Sequence, residues 1–190
     1  MESSELQAQL ERYHQGSYTW ALSCCFQDSF EAENILQSVY LKILEGKAKY
    51  SGQSSFKTWL FAVIRKTAID KRRWNLRYKL GLSKYQERVQ SNIGESPDEI
   101  VYRGQIKRLF EQALACLSDK QQEVLQLVFY HDLSLQEASE VMNISLGSAR
   151  THYERGKKQL YKLLEELKVF DESRSSRKDN QEIIPGAKAE

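Results

Sequence analysis

The stretch from Ser134 to Leu160, SLQEASEVMNISLGSARTHYERGKKQL, limits the fold of this chain most strongly. Ser134 stands three residues before Glu137, which is the capping-box spacing that satisfies free amides at a helix start. Asn143 can adopt the left-handed backbone that ends a helix, and Ser145 can cap a second helix. The stretch therefore predicts two helices joined by a tight turn, which is a helix-turn-helix unit.

The second of these helices carries its apolar residues on one face. Ala149, Tyr153 and Leu160 recur at helical spacing and would pack inward, while the small Ser139 permits close approach of the first helix. In a helix-turn-helix unit the second helix enters the DNA major groove, where Arg and Thr can contact bases and Lys suits phosphates. An ordinary solvated cationic face is the alternative interpretation, but the capped helix, the turn residue and the basic helix occur together and favour DNA binding. The outward residues are Ser148, Arg150, Thr151, Glu154, Arg155, Lys157 and Lys158.

The other periodic segments also repeat at helical spacing, and no run alternates as a strand would. Leu6 to Tyr13 indicates one helix, which we expect to be followed by another after Gly16. Asp28 stands at capping-box spacing before Glu31, and Gly46 marks the end of the helix that follows. The apolar stripe of that helix is Ile35, Leu36, Val39, Tyr40, Ile43 and Leu44. The predicted fold class is therefore all-α.

The composition divides the chain into two small helical domains joined by a flexible linker. Gly81, Gly94 and Pro97 interrupt any long helix between the domains, and the C-terminal tail has little to bury. The predicted divisions are an N-terminal domain over 1–80, a linker over 81–104, a C-terminal helix-turn-helix domain over 105–168 and a disordered tail over 169–190.

The charges are unevenly distributed although the net charge is only +2. Residues 1–41 carry one cation and six acids, whereas residues 42–79 carry eleven cations and two acids. Residues 111–144 sum to −5 and residues 145–163 to +4. This alternation indicates surfaces for a polyanion beside surfaces for a different partner.

Cysteine usage and hydropathy favour a cytoplasmic protein. Cys24, Cys25 and Cys116 form no C-x-x-C pair and are too few for a disulfide scaffold, so we interpret them as reduced, buried thiols. No apolar run approaches the ~20 residues of a membrane span, and the acidic N-terminus is unlike a signal peptide.

Signals for catalysis are scattered. His14, His131 and His152 lie far apart in the sequence. There are no clustered carboxylates, no metal-ligand spacing and no glycine loop that could cradle a phosphate. We therefore expect that this chain is not an enzyme such as a nuclease, and we assign it no catalytic residue, metal ligand or cofactor.

The segment from Ser54 to Trp74, SSFKTWLFAVIRKTAIDKRRW, combines an aromatic face with a cationic one. Its inward face is predicted to be Phe56, Leu60, Val63 and Thr67, flanked by Trp59 and Ile64. The rest of its surface is cationic through Lys57, Arg65, Lys66, Lys71, Arg72 and Arg73. Tyr50, in the loop before this helix, is a candidate platform for unstacked bases, since stacking contributes ~1–3 kcal/mol per base.

Three stretches together carry a resemblance to a known family. They are EAENILQSVYLKIL, YSGQSSFKTWLFAVIRKTAID and LSDKQQEVLQLVFYHDLSLQEASEVMNISLGSARTHYERGKKQL. In this order, and separated by a linker of suitable length, they resemble a bacterial RNA polymerase sigma factor of the small two-domain, extracytoplasmic-function type. The resemblance covers residues 5–165.

The resemblance implies core RNA polymerase and promoter DNA as partners. The helix from Phe30 to Leu44 would dock on the polymerase, and the loop from Tyr50 to Ser55 would capture a base flipped from the minus-ten element. The helix from Ser145 to Lys158 would read the minus-thirty-five element as duplex. Because members of the family are commonly held inactive by an anti-sigma protein, such a protein is a further candidate partner.

The residues implied for each role are as follows. Polymerase binding is implied for Asn34, Gln37, Ser38 and Leu41. Minus-ten binding is implied for Tyr50, Ser51, Gly52, Gln53, Ser54, Lys66 and Asp70, and the block Lys71, Arg72 and Arg73 would hold the DNA backbone. Minus-thirty-five binding is implied for the outward residues of the second helix of the helix-turn-helix unit, named above.

Three positions depart from the pattern of the family. Asn34 stands where Asp is more frequent, Asn143 where Gly is frequent, and His152 where Arg is frequent. The Asn34 amide can still form hydrogen bonds, although the charge is lost. His152 and Glu154 make the recognition helix less basic, so its target sequence does not follow from relatives.

A stand-alone helix-turn-helix regulator with an N-terminal ligand- or protein-binding domain is the alternative function. It would account for residues 105–165, but it leaves the loop, the basic helix and the docking pattern of the first domain unexplained.

Overall fold

The computed structural model describes residues 3–81, 114 and 116–166. All regular structure in these residues is helical, which confirms the all-α prediction. The predicted tail, and the predicted linker apart from Gly81, lie outside the described residues. No helix within the described ranges is long and apolar enough to cross a membrane. The helices are α1 (Ser3–Cys24), α2 (Ser29–Leu44), α3 (Phe56–Gly81), α4 (Asp119–Phe129), α5 (Leu135–Met142) and α6 (Leu146–Glu166).

The chain divides into two compact units. The first comprises Met1–Gly94 and Glu123–Thr151, and the second comprises Glu95–Gln122 and His152–Glu190. Helices α1, α2, α3 and α5 therefore belong wholly to the first unit. Helices α4 and α6 each run from one unit into the other.

The centre of the first unit is an apolar contact between α1 and α3. Trp20 and Phe61 are fully buried, their rings stack with centroids 6.0 Å apart, and Trp20 Nε1 donates a hydrogen bond of 3.0 Å to the Phe61 carbonyl. Leu60 and Ile64 are also fully buried beside them. Burial of side chains of this size contributes about 1.5–3 kcal/mol each, so this contact fixes α3 firmly on the domain.

Helix α1 continues through Gly16, so the prediction of two separate helices there is wrong. A Cβ atom at Gly16 would lie 3.7 Å from Phe61 Cζ, so this glycine stands where α1 approaches α3 closely. The helix propensity of glycine is lower than that of alanine by only about 1 kcal/mol, which tertiary packing overrides.

The buried faces of α2 and α3 differ from the predicted ones by a rotation about the helix axis. On α2, Leu44 is 66% exposed rather than part of the apolar stripe, and the half-buried Tyr40 hydroxyl lies 3.0 Å from His14 Nδ1. On α3, Ile64 lies at the centre of the buried face and Val63 is only half-buried. The spacing identified the helices correctly, but it did not fix the direction from which neighbouring helices pack.

The predicted caps of the helix-turn-helix unit are confirmed. Ser134 and Glu137 form a complete capping box at the start of α5. Asn143 ends α5 with φ 52° and ψ 52°, in the left-handed region. The Ser148 amide donates to Ser145 Oγ at 3.1 Å at the start of α6. Ile144, between the two helices, is half-buried.

Candidate nucleic-acid interface

The loop between α2 and α3 presents a short exposed segment beside a packed aromatic cluster. Ser51, Gly52 and Gln53 are exposed, and Gly52 has φ +76°, which favours glycine. Tyr50 is half-buried: its hydroxyl donates to the Ser54 carbonyl at 2.6 Å. Its ring lies 5.4 Å from both the Phe56 and Trp59 rings, centroid to centroid. Much of the Tyr50 ring is therefore used to hold the loop.

The cations of α3 do not share one face. Lys66, Asp70 and Arg73 follow one another at i, i+4 and i+7, and all three are exposed, so they lie on one side of the helix. Lys71 Nζ lies 5.8 Å from the centroid of the Trp74 ring, and the Arg72 guanidinium lies 5.4 Å from that of Phe26. Consecutive helical residues are about 100° apart, which follows from 3.6 residues per turn. The three side chains of the block therefore leave the helix over an arc of about 200° rather than forming a single patch.

Two cations that were assigned to the outer surface are instead engaged within the first unit. Arg65 makes a two-pronged contact with Glu123, with Nε to Oε1 and Oε2 at 3.2 Å and Nη2 to Oε2 at 2.9 Å. The side chains are only 15% and 23% exposed. Lys57 Nζ donates to the His131 carbonyl. The cationic surface of α3 is therefore smaller than the sequence indicates.

The capping box of α5 also contacts the start of α3. Glu137 Oε1 accepts from Thr58 Oγ1 at 3.2 Å and from Ser55 Oγ at 3.4 Å. Hydrogen bonding from the Ser134 amide, aided by the Ser134, Thr58 and Ser55 hydroxyls, lowers the pKa of Glu137 despite partial burial. Because Ser55 ends the exposed loop, this carboxylate ties the loop to the helix-turn-helix segment of the first unit.

His131 is buried in an aromatic setting. Its ring meets the Phe61 and Trp20 rings edge-on, with centroids 4.8 Å and 5.8 Å away. Its Nε2 atom has no hydrogen-bond partner among the described residues. Burial, and then the charge of Lys57, lower the pKa of His131 to about 4, with Asp132 opposing the shift. The imidazole is therefore neutral at physiological pH and serves as an apolar packing group.

The outward residues of α6 lie as the sequence predicts. Ala149 is fully buried and Leu160 is 8% exposed, while all seven predicted DNA-contacting side chains are exposed. In the first unit, Thr151 Oγ1 donates to the Gly147 carbonyl at 2.9 Å. In the second unit, Lys157 pairs with Glu154 at 3.3 Å. Arg150 and Arg155 are the exposed guanidinium groups of this helix.

The exposed face of α2 carries more apolar side chains than the predicted docking residues, of which only Leu41 is apolar. Gln37, Ser38 and Leu41 are exposed, Asn34 is half-buried, and Ser38 Oγ donates to the Asn34 carbonyl at 2.8 Å. Phe30, which was not predicted as a docking residue, is 72% exposed, and Leu44, which was predicted in the apolar stripe, is 66% exposed; they extend this face in both directions. The spacing 30, 34, 37, 41 and 44 follows one side of a helix, and that repeat was the available signal. Exposed apolar side chains grouped in this way indicate a protein-binding surface.

The cysteines are free thiols, and their surroundings differ. Cys24 and Cys25 are half-buried and line a cavity of about 410 Å³ with Lys71 and Arg72, whereas Cys116 is exposed, contrary to the expectation of burial. Burial raises the pKa of Cys24 well above its usual value, with Glu123 adding to the effect, and burial raises the pKa of Cys25 to about 11. No cluster of metal-ligating side chains occurs within the described ranges.

Comparison with known proteins gives matches to both halves of the chain. The family Sigma-70 region 2 matches residues 10–77, and the family Sigma-70, region 4 matches residues 107–160. The ECF RNA polymerase sigma factor SigX of Bacillus subtilis (strain 168) is 29% identical over 180 residues, which is 92% of each chain. SigW of the same organism is 29% identical over 146 residues, 72% of this chain and 77% of SigW.

Comparison with solved structures supports the fold. The sigma factor RpoE, solved in complex with the anti-sigma factor NepR from Bartonella quintana, matches with a TM-score of 0.66 and 20% identity. The match covers 85% of this chain and 97% of RpoE.

Proposed function

This chain belongs to the sigma-70 family of RNA polymerase sigma factors, in its small extracytoplasmic-function group, and from that premise we propose how its surfaces direct promoter recognition and DNA melting. The observation that carries the function is the occurrence of region 2 before region 4 in one all-helical chain. A stand-alone regulator with an N-terminal ligand- or protein-binding domain would not account for the match of residues 10–77 to region 2, which argues against that alternative.

The outer face of α2 is the proposed contact with core polymerase. Asn34, Gln37, Ser38 and Leu41 lie together on its solvent side, and Phe30 and Leu44 add apolar surface at the two ends. An apolar centre with a polar surround is typical of protein interfaces. The polymerase would supply catalysis, and the chain would contribute promoter recognition.

The exposed loop and the middle of α3 are the proposed contacts with the minus-ten element. Ser51 to Gln53 would receive a flipped base, and Lys66, Asp70 and Arg73 would lie along the neighbouring strand. Ten residues separate Phe56, at the start of α3, from Lys66, which corresponds to ~15 Å of helix rise. A separation of this size along α3 would allow the two groups to contact different nucleotides of the minus-ten element. Stacking and phosphate contacts offset the few kcal/mol that flipping costs.

The first turns of α6 are the proposed reader of the minus-thirty-five element. Ser148, Arg150 and Thr151 stand nearest the helix start, where base edges are reached. Arg155, Lys157 and Lys158 suit contacts to the DNA backbone, with Glu154 modulating Lys157 through their ion pair.

The proposed place of action is the cytoplasm. An anti-sigma protein remains a candidate partner, since RpoE was solved with one.

The experiment that separates the two functions is footprinting with and without core polymerase. Genomic DNA fragments would be incubated with the chain alone, with the chain and core polymerase together, and with core polymerase alone as background. We expect protected promoter fragments only when chain and core polymerase are both present. Tight sequence-specific protection by the chain alone would support a stand-alone regulator instead.

Replacement of Arg150 should relax base preference in the minus-thirty-five element. A bidentate arginine contact to guanine accounts for about 1–3 kcal/mol of discrimination, so Arg150→Ala should cost about 5- to 150-fold in affinity for the preferred sequence. The measurement is competition binding of the polymerase complex with a series of single-base substitutions. Lys158→Ala is the matched control, since loss of a phosphate contact weakens all sequences equally. An unchanged base preference in Arg150→Ala would remove this residue from the reading surface.

A further inference from the structure

The C-terminal part of α3 carries two exposed aromatic side chains that the proposed function does not use. Trp74 and Tyr78 are 55% and 58% exposed, and their rings stack with centroids 5.3 Å apart and planes 12° from parallel. Lys71 Nζ lies 5.8 Å from the Trp74 centroid. These three side chains, which we call the Trp74 column, form a continuous apolar and cationic surface on one side of the helix.

The position of the Trp74 column on α3 is informative. Thr67, Lys71, Trp74 and Tyr78 are spaced at i, i+4, i+7 and i+11, so they follow one side of the helix. Thr67 is only 6% exposed, and its Oγ1 accepts from Lys42 Nζ at 3.1 Å. One turn later the same side of α3 is exposed. The side of α3 that is buried at Thr67 is therefore exposed beyond Lys71, where it carries the rings of Trp74 and Tyr78.

Charge identifies the partner that fits this surface. From Lys66 to Tyr78 the helix carries five cations and one acid, Asp70. Aromatic rings set among cations are the combination with which proteins bind single-stranded nucleic acid, because bases stack on the rings and phosphates pair with the cations. Leu76, at 59% exposure, is on a different side of the same turn and offers no ring.

We propose that the Trp74 column stacks with an unpaired base of the promoter on its Tyr78 end and holds a phosphate of the DNA backbone through Lys71 at its other end. This inference rests on the proposed function and adds a second base-contacting site to it, separate from the loop before α3. The unpaired base would stack on the ring face of Tyr78 that points away from Trp74. The Trp74 ring packs against the opposite face of Tyr78, and Lys71 supplies the positive charge at the other end of the column.

The test compares two forms of the same promoter DNA, bound by the complex of core polymerase and the full chain. The promoter is one mapped with the unaltered protein. One form is fully duplex, and the other is forked, with an unpaired non-template strand across the melted segment. Trp74→Ala/Tyr78→Ala should bind the forked form about 5- to 150-fold more weakly, which corresponds to the loss of one stacked base. Binding to the duplex form should change much less.

Three further measurements make the result decisive. Leu76→Ala, an exposed apolar residue outside the column, should leave both affinities unchanged. Trp74→Phe/Tyr78→Phe keeps the rings and should restore most of the affinity for forked DNA. Affinity for core polymerase, measured separately, should be the same for all variants.

Other outcomes would overturn the proposal. Equal binding of forked DNA by the alanine variant and the unaltered protein would contradict stacking, and loss of affinity for core polymerase would show that the column contacts protein. Failure of the unaltered protein to form any promoter complex would instead contradict the proposed function.

Discussion

Replacement of Lys71, Arg72 and Arg73 together by glutamine should weaken promoter binding by the polymerase complex and flatten its dependence on salt. The three side chains leave α3 in different directions, towards Trp74, towards Phe26 and along the side that carries Lys66. We therefore expect contacts to separate phosphates around the point where the strands part. Each lost phosphate contact makes the negative slope of log affinity against log salt concentration shallower by about 0.9. Loss of three contacts should therefore reduce the ratio of the affinity at 50 mM salt to that at 200 mM salt by about 40-fold.

The measurement is promoter affinity over a salt series, combined with permanganate reactivity of unpaired thymines. The control replaces three cations outside every proposed site, Arg12, Lys120 and Lys178, and so matches the change in net charge. Its slope should stay close to that of the unaltered protein. An unchanged slope and unchanged melting in the Lys71, Arg72 and Arg73 variant would remove the block from the DNA surface.

Acid should destabilise the first unit through His131. The folded state holds this imidazole neutral, with a pKa of about 4 against an ordinary value of about 6.5. Between these two pH values the unfolded chain binds more protons than the folded chain, so the free energy of unfolding falls as the pH falls. The stability that comes from holding His131 neutral is fully present above pH ~6.5, and it is lost progressively as the pH falls to ~4. At about 1.4 kcal/mol per pKa unit the total is on the order of 3 kcal/mol.

The measurement is urea unfolding at pH 7 and pH 5 for the unaltered chain and for His131→Leu. Leucine does not titrate, and it suits the apolar contact with Phe61 and Trp20. The difference between the two proteins should therefore shrink or reverse in favour of the variant at pH 5. Ionisable groups remote from position 131 are common to both proteins and cancel in the comparison. A pH dependence that is identical in the two proteins would contradict the assignment of acid sensitivity to His131.

Features set by neighbouring residues could be predicted from the sequence. The capping box of Ser134 and Glu137, the left-handed Asn143 and the cap at Ser145 each depend on residues within a few positions. The exposed residues of α6 could be predicted equally well, because the buried positions Ala149 and Leu160 fix the rotation of the helix.

Features set by distant residues could not be predicted. Arg65 and Lys57 read as surface cations, yet their partners Glu123 and His131 lie 58 and 74 positions away in the sequence. The burial of the Tyr50 ring against Phe56 and Trp59 depends on how the loop folds back on α3. At Gly16, α1 continues without interruption where it packs close to Phe61 of α3, 45 positions away in the sequence. No local spacing records such contacts, because packing between helices decides them.

Reconstituted transcription tests the central claim most directly. Core polymerase would be mixed with the full chain on genomic DNA, and the 5′ ends of the transcripts would be mapped, with core polymerase alone as the background. We predict a limited set of start sites that share two sequence elements at a fixed spacing and that disappear without the chain. Start sites that are the same with and without the chain would contradict its assignment as the promoter-recognising subunit.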